Sequence, residues 1–252
     1  MGALEGKSVI ITGSSRGIGA ATAKLLAEDG AAVVINYRQK APRANKIVKE
    51  ITEAGGRAVA VGADLTTPEG SQALVDAAVE NFGGLDILIL NASGGMESDL
   101  GEDYAMRLNR DAQVAMVETA LPALKSGGRI VFVTSHQAHF IEKVATMDAY
   151  EPVARSKRAG EVALRDMAPE FEKAGVKLVV VSGDMIEGTI TATLLNRAEP
   201  GAIEERRKAA GKLYSVEEFA AEVAKMVTAD VESGHTEYVG GAEDFLKQHS
   251  AE

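Results

Sequence analysis

The residues Thr12-Gly13-Ser14-Ser15-Arg16-Gly17-Ile18-Gly19 have the composition of a phosphate cradle. They follow the apolar run Val9-Ile10-Ile11 and precede a helical pattern that starts at Ala20. Gly13 permits the tight turn, Gly17 lets main chain approach a pyrophosphate, and Gly19 allows close packing of helix on strand. The pyrophosphate would lie against free N–H groups at the positive end of the helix dipole. With a strand before it and a helix after it, the pattern predicts a dinucleotide site, with Ser15, Arg16 and Ile18 among its contacts. The next apolar run, Val33-Val34-Ile35, ends in Asn36-Tyr37-Arg38. A ribose 2′-OH calls for a carboxylate at that place, and a 2′-phosphate calls for positive charge. No Asp or Glu stands at 36–38, whereas Arg38 does and Arg16 can approach the same point. The planar guanidinium pairs well with phosphate oxygens, so the expected cofactor is NADP(H).

These residues need a scaffold, and the rest of the chain supplies its pattern. Val59-Ala60-Val61, Ile87-Leu88-Ile89-Leu90, Ile130-Val131-Phe132-Val133 and Leu178-Val179-Val180-Val181 are further short apolar runs, as expected of strands buried on both faces. Helical stretches at 20–28, 44–54, 71–81 and 159–173 lie between them, each followed closely by a glycine: Gly30, Gly55, Gly83 and Gly175. Glu237-Tyr238-Val239 reads as a final strand. Alternation of this kind with right-handed crossovers predicts an α/β chain with a single-domain Rossmann fold. Its doubly wound, mostly parallel sheet would have about seven strands with helices on both faces.

Bulk composition narrows the function. The chain has 252 residues and no cysteine, which removes disulfide scaffolds and thiolate chemistry, and no metal site is expected. A formal net charge of -10 argues against nucleic acid as a partner. No apolar stretch approaches the length of a membrane span, and the amino end lacks the pattern of a signal peptide, so a cytoplasmic protein is expected.

Taken in order, the motifs resemble those of the short-chain dehydrogenases/reductases over nearly the whole chain. The family's Thr-Gly-x-x-x-Gly-x-Gly matches Thr12 to Gly19. Its adenine-contacting Asp matches Asp64, followed by Leu65, and the segment after the fourth strand retains Asn91 and Ala92 in Asn91-Ala92-Ser93. The structural Asn of the next helix matches Asn109, the active-site Ser matches Ser135 and the active-site Lys matches Lys157. The family's Pro-Gly after the sixth strand reads Ser182-Gly183, and Thr189 stands two residues late for the Thr that meets the nicotinamide carboxamide. The resemblance implies a substrate lid over residues 184–212, in which Met185, Ile190, Leu194 and Leu195 read either as an apolar inner face or as helix core. Glu204-Glu205-Arg206-Arg207-Lys208 reads as a solvated helix face, and the segment Gly94 to Asp103 is short for the family. A homodimer or homotetramer built on the helix beginning near Tyr150 is also implied.

One position departs from the pattern. Four residues before Lys157, where the family has its Tyr, stands Val153, and the nearest preceding tyrosine is Tyr150. Positions i and i+7 share a helix face two turns apart, a rise of roughly 10 Å that two long side chains can partly span. Tyr-x6-Lys is the spacing of the enoyl-thioester reductases, a divergent branch of the same superfamily, yet the glycine turn here is of the common type and Ser135 is retained. Three readings stay open. Tyr150 with Lys157 acts as acid on a carbonyl or an activated C=C bond; His136 or His139 supplies the proton; or the chain binds NADP(H) without turnover, as a sensor or structural partner.

Overall fold

The structure is a computed structural model, and it describes residues 2–96, 101 and 103–249. The first half alternates strand and helix: β1 (Ser8–Ile11), α1 (Gly17–Glu28), β2 (Ala32–Tyr37), α2 (Ala41–Glu53), β3 (Arg57–Gly62), α3 (Pro68–Phe82) and β4 (Leu85–Leu90). A short helical turn, α4 (Tyr104–Met106), runs through a π-helical turn at Arg107–Asp111 into α5 (Ala112–Ala120). Then come β5 (Leu124–Ser135), α6 (His136–His139), α7 (Glu151–Asp166), α8 (Ala168–Ala174) and β6 (Lys177–Gly183). The chain closes with α9 (Ile190–Ala198), α10 (Ala202–Ala210), α11 (Val216–Thr228), β7 (Thr236–Val239) and α12 (Ala242–His249).

All seven strands lie in one sheet in the order β3-β2-β1-β4-β5-β6-β7, every neighbouring pair parallel. Side chains alternate between the two faces, which builds two cores from the same strands. Val9 and Ile11 face the layer of α1, α2 and α11, where Leu26, Ile47 and Phe219 are buried. Ile10 and Leu88 face the layer of α3, α5 and α7, where Leu74, Val117 and Leu164 are buried. The order reverses between β1 and β4, and in such sheets ligands bind outside the carboxyl ends of the strands at that reversal. The apolar runs therefore became the expected doubly wound sheet.

Two boundaries differ from the sequence expectation. The helical stretch expected over 159–173 falls in two helices: α7 begins beside Tyr150 as expected, with Pro152 in its first turn, but ends at Met167, which also opens α8. Pro169 in the first turn of α8 has no N–H to continue the helix before it. β5 is longer than its apolar run, because the polar stretch from Lys125 extends the strand past a register shift between Leu85 and Ile87 of β4.

Candidate active site

The glycine turn is held from three sides. Asn36, at the end of β2, accepts a hydrogen bond from the Gly13 amide at 2.9 Å, and the Asn91 side chain donates to the carbonyls of Thr12 and Gly13. The Thr12 hydroxyl accepts from the amides of Asn91 and Ala92, tying the segment after β4 to the turn. Gly13 has φ 62°, and a side chain there would also press on Ala92. A Cβ on Gly19 would come within 2.6 Å of the Asn91 amide and 2.8 Å of Ser14 Cα, so this glycine serves packing beneath the cleft. Gly17 differs: with φ 56° it faces open space, and a Cβ there would meet nothing within 4 Å. Arg16 gives α1 no side-chain cap, and its first turn holds no acidic residue, so the turn offers main-chain N–H donors and the positive dipole end.

One cleft of about 580 Å³ runs from this turn along the carboxyl ends of the strands. At one end it is lined by Tyr37, Arg38, Asp64 and Leu65, together with Lys40 and Arg43 at the start of α2, which the sequence reading did not single out. The Arg38 guanidinium donates to the Tyr104 hydroxyl and stands 5.5 Å over its ring, so α4 fixes the direction of this cation. Burial pushes the Asp64 carboxyl up. Hydrogen bonds from the Thr66 hydroxyl and amide, with Arg38 and Arg107 nearby, outweigh that and hold it below the ordinary carboxylate value. Asn36 also lines the cleft, but its side chain is engaged with Gly13 and with the Ala63 carbonyl.

The other end gathers Ser135, Tyr150 and Lys157. Ser135 closes β5, where its hydroxyl accepts from the Ala138 amide and caps α6. Tyr150 sits at the N-cap of α7 and is 5% exposed, packed among Ala138, Val153, Met185 and Leu195. Its hydroxyl lies 3.1 Å from Ser135 Oγ. Burial raises the Tyr150 pKa, and the bond with Ser135 offsets part of that rise. Lys157, one turn deeper on α7 than the position the family gives its Tyr, is 8% exposed, and burial lowers its pKa to about 8. Its ammonium makes no hydrogen bond or ion pair among the described residues and lines the cleft.

Two expected site residues, Asn109 and Gly183, do not line the cleft. Asn109 is buried in the π-helical turn and does not line the cleft. It bonds both main-chain groups of Gly94 and donates to Ser156 Oγ at 2.9 Å, bracing the turn of α7 before Lys157. Gly183 does not line the cleft either, because it packs against the Phe219 ring. Thr189 lines the cleft, with its hydroxyl spent on capping α9 through the Ala192 amide and on the Ile186 carbonyl. Neither histidine reaches the cleft. His136 is buried against Phe140 and Phe245, with Nδ1 on Ser182 Oγ, and burial pushes its pKa down to about 4. His139 is held between Glu161 and Tyr238. The histidine route for the proton is therefore closed.

The expected lid is α9 and α10 with the strand-like approach from Asp184, which an isolated bridge from Glu187 to Ser215 anchors. Met185 and Leu195 are buried in it and Ile190 stands at the cleft rim. Arg206 corrects the solvated-face reading: it is half-buried, making paired bonds at 2.6–2.9 Å to Asp184, and its guanidinium lies over Phe245. Of the short segment expected at 94–103, residues 97–100 and 102 lie outside the described residues.

Residues 7–199 match the family model for short chain dehydrogenase. The chain is a short-chain dehydrogenase. It is 37% identical over 199 residues, 76% of this chain and 79% of the relative, to an uncharacterized oxidoreductase of Methylorubrum extorquens. It is 36% identical to a 1-cyclohexenylcarbonyl-CoA reductase of Streptomyces collinus, over 71% of this chain and 64% of that one. A short chain dehydrogenase of Burkholderia cenocepacia, solved in complex with NADP, matches with a TM-score of 0.80 and 31% identity, covering 95% of this chain and 99% of that one. The dehydrogenase is thus an oxidoreductase of a family that uses a nicotinamide cofactor. Among its described residues no helix is long and apolar enough to cross a membrane.

Proposed function

We propose that the dehydrogenase is an NADP(H)-dependent reductase of a carbonyl group, with Tyr150 as proton donor. The observation that carries this is the 3.1 Å approach of the Tyr150 and Ser135 hydroxyls in the cleft that Lys157 also lines. Two hydroxyls so close can both bond one substrate oxygen, which is what stabilising and then protonating an alkoxide requires. Tyr150 reaches that point because it sits at the N-cap of α7, where the regular turn of the helix does not set its direction.

The cleft fits the dinucleotide on its own features. The open face at Gly17 and the uncapped start of α1 suit a pyrophosphate. Lys157 offers a nearly buried ammonium with no hydrogen bond or ion pair among the described residues, which suits ribose hydroxyls. Arg16, Arg38, Lys40 and Arg43 gather cations at the end where a 2′-phosphate belongs, with no carboxylate at 36–38 to compete. When bound, NADP(H) supplies or accepts the hydride. Ser135 polarises the carbonyl oxygen and Tyr150 gives it a proton, while Lys157, protonated below about pH 8, lends positive charge to the same cleft. Burial keeps the Tyr150 phenol protonated at neutral pH, which suits reduction better than alcohol oxidation.

A second reading, reduction of an activated C=C bond, draws support from the Tyr-x6-Lys spacing and from the Streptomyces collinus relative's name. The retained Ser135 bonded to Tyr150 favours the carbonyl. Oxidation of NADPH and NADH, followed with aryl ketones, quinones and enoyl thioesters, tests both. Ketone turnover with NADPH preferred supports the proposal. Turnover of enoyl thioesters alone moves the chemistry to the C=C bond, and tight NADPH binding with no turnover leaves a sensor.

A further inference from the structure

We infer that the substrate is a neutral, apolar carbonyl compound, and that the half-buried Asp184–Arg206 pair makes the site refuse anions; this rests on the reductase reading above. Met185, Ala192 and Leu195 pack with Tyr150, and Ile186, Thr189, Thr191 and Ile190, the last 45% exposed though apolar, also line the cleft from this segment. The residues packed with Tyr150 give a ligand hydrocarbon and thioether surface, and of the two threonines beside them the Thr189 hydroxyl is already engaged within the protein.

The distribution of charge around the cleft sharpens this. Its cationic side chains, Lys157 apart, come from the glycine turn and the β2–α2 connection, at the far end from Tyr150. The ionised group on the lid side of the lining is Asp184, at the end of β6. Its carboxylate takes paired bonds from Arg206, and both side chains are only 10% exposed. Arg206 comes from α10; it does not line the cleft and lies over Phe245. A substrate at Tyr150 therefore meets the carboxylate side of the pair, while the guanidinium faces away into the fold. A carboxylate on the substrate would lose its hydration with a like charge beside it, and the cation at this end, Lys157, is the group assigned above to the ribose hydroxyls.

The test uses the full chain and two probes of nearly equal shape, para-acetylbenzoate and its methyl ester. Turnover with NADPH is measured together with binding, read from the fluorescence of bound NADPH. The ester is expected to be favoured roughly 100-fold or more in kcat/KM and to bind correspondingly tighter. Asp184→Asn leaves Arg206 without this counter-ion, so the preference for the ester should fall by about tenfold. Arg206→Met leaves the carboxylate facing the site and should not lower it. NADPH affinity checks that each variant folds, and the wild-type comparison stands without either. Ester binding without turnover would sink the reductase reading and support this one. Equal binding of the two probes, or binding of neither, overturns it.

Discussion

Arg38→Ala probes the cofactor assignment with a contrast built into one side chain. Arg38 ends β2 at the place where a carboxylate would accept from a ribose 2′-OH, and Tyr104 holds its guanidinium by a hydrogen bond and by stacking at 5.5 Å. A charge-assisted bond to a phosphate is worth about 1.5–3 kcal/mol, which is roughly 10–150-fold in affinity. Lys40 and Arg43 line the same end and would keep part of the attraction, so the expected loss lies near the lower bound, about 10–30-fold for NADPH. NADH has no phosphate there and should change by about twofold or less. The fold should survive, since an exposed cation–π contact is worth only about 0.5–1 kcal/mol. Fluorescence titration of both cofactors reads the two affinities directly. An equal loss for NADPH and NADH would refute the phosphate assignment. Arg38→Asp should go further and make NADH the preferred cofactor.

Three other perturbations follow from the site's geometry. Ser135→Ala should lower turnover about 100-fold with NADPH affinity retained, and reduce stability by about 1 kcal/mol because it also uncaps α6; an unchanged rate would remove Ser135 from the chemistry. Gly160→Ala places a Cβ 2.1 Å from the Asn109 carbonyl oxygen, so α7 must move off the turn that braces it, at a cost of about 1–3 kcal/mol seen in thermal melting. The unfolded chain holds the Lys157 proton up to about 10.5 and the folded one only to about 8, so folding releases a proton between those values. Stability of the cofactor-free protein should therefore rise by about 3 kcal/mol from pH 8 to 10.5, with the penalty fully present below 8, and Lys157→Met should flatten that rise in denaturant titrations.

The strands and the glycine turn were legible because their signals are local: continuous apolar runs, and glycines at fixed offsets from a strand end. What escaped depends on partners distant in sequence. Arg206 reads as one charge among five, and Asp184, 22 residues earlier and just past the end of β6, draws it inward. Lys40 and Arg43 reach the cleft because α2 starts directly beside the end of β2. His136 and His139 sit next to Ser135 in the chain, yet α6 turns them towards β6, β7 and α12. Pro169 did mark the break after α7, a signal the helical periodicity hid. The Tyr150 position was legible as a spacing, but its approach to Ser135 was not, since a helix face does not aim an N-cap residue.

Tyr150→Phe keeps the ring in its buried packing and removes only the hydroxyl that meets Ser135. Measured as turnover of NADPH with a ketone beside NADPH affinity, it should cost about 100- to 10,000-fold in kcat with the affinity nearly unchanged. Wild-type turnover in this variant would contradict the assignment of Tyr150 as the proton donor.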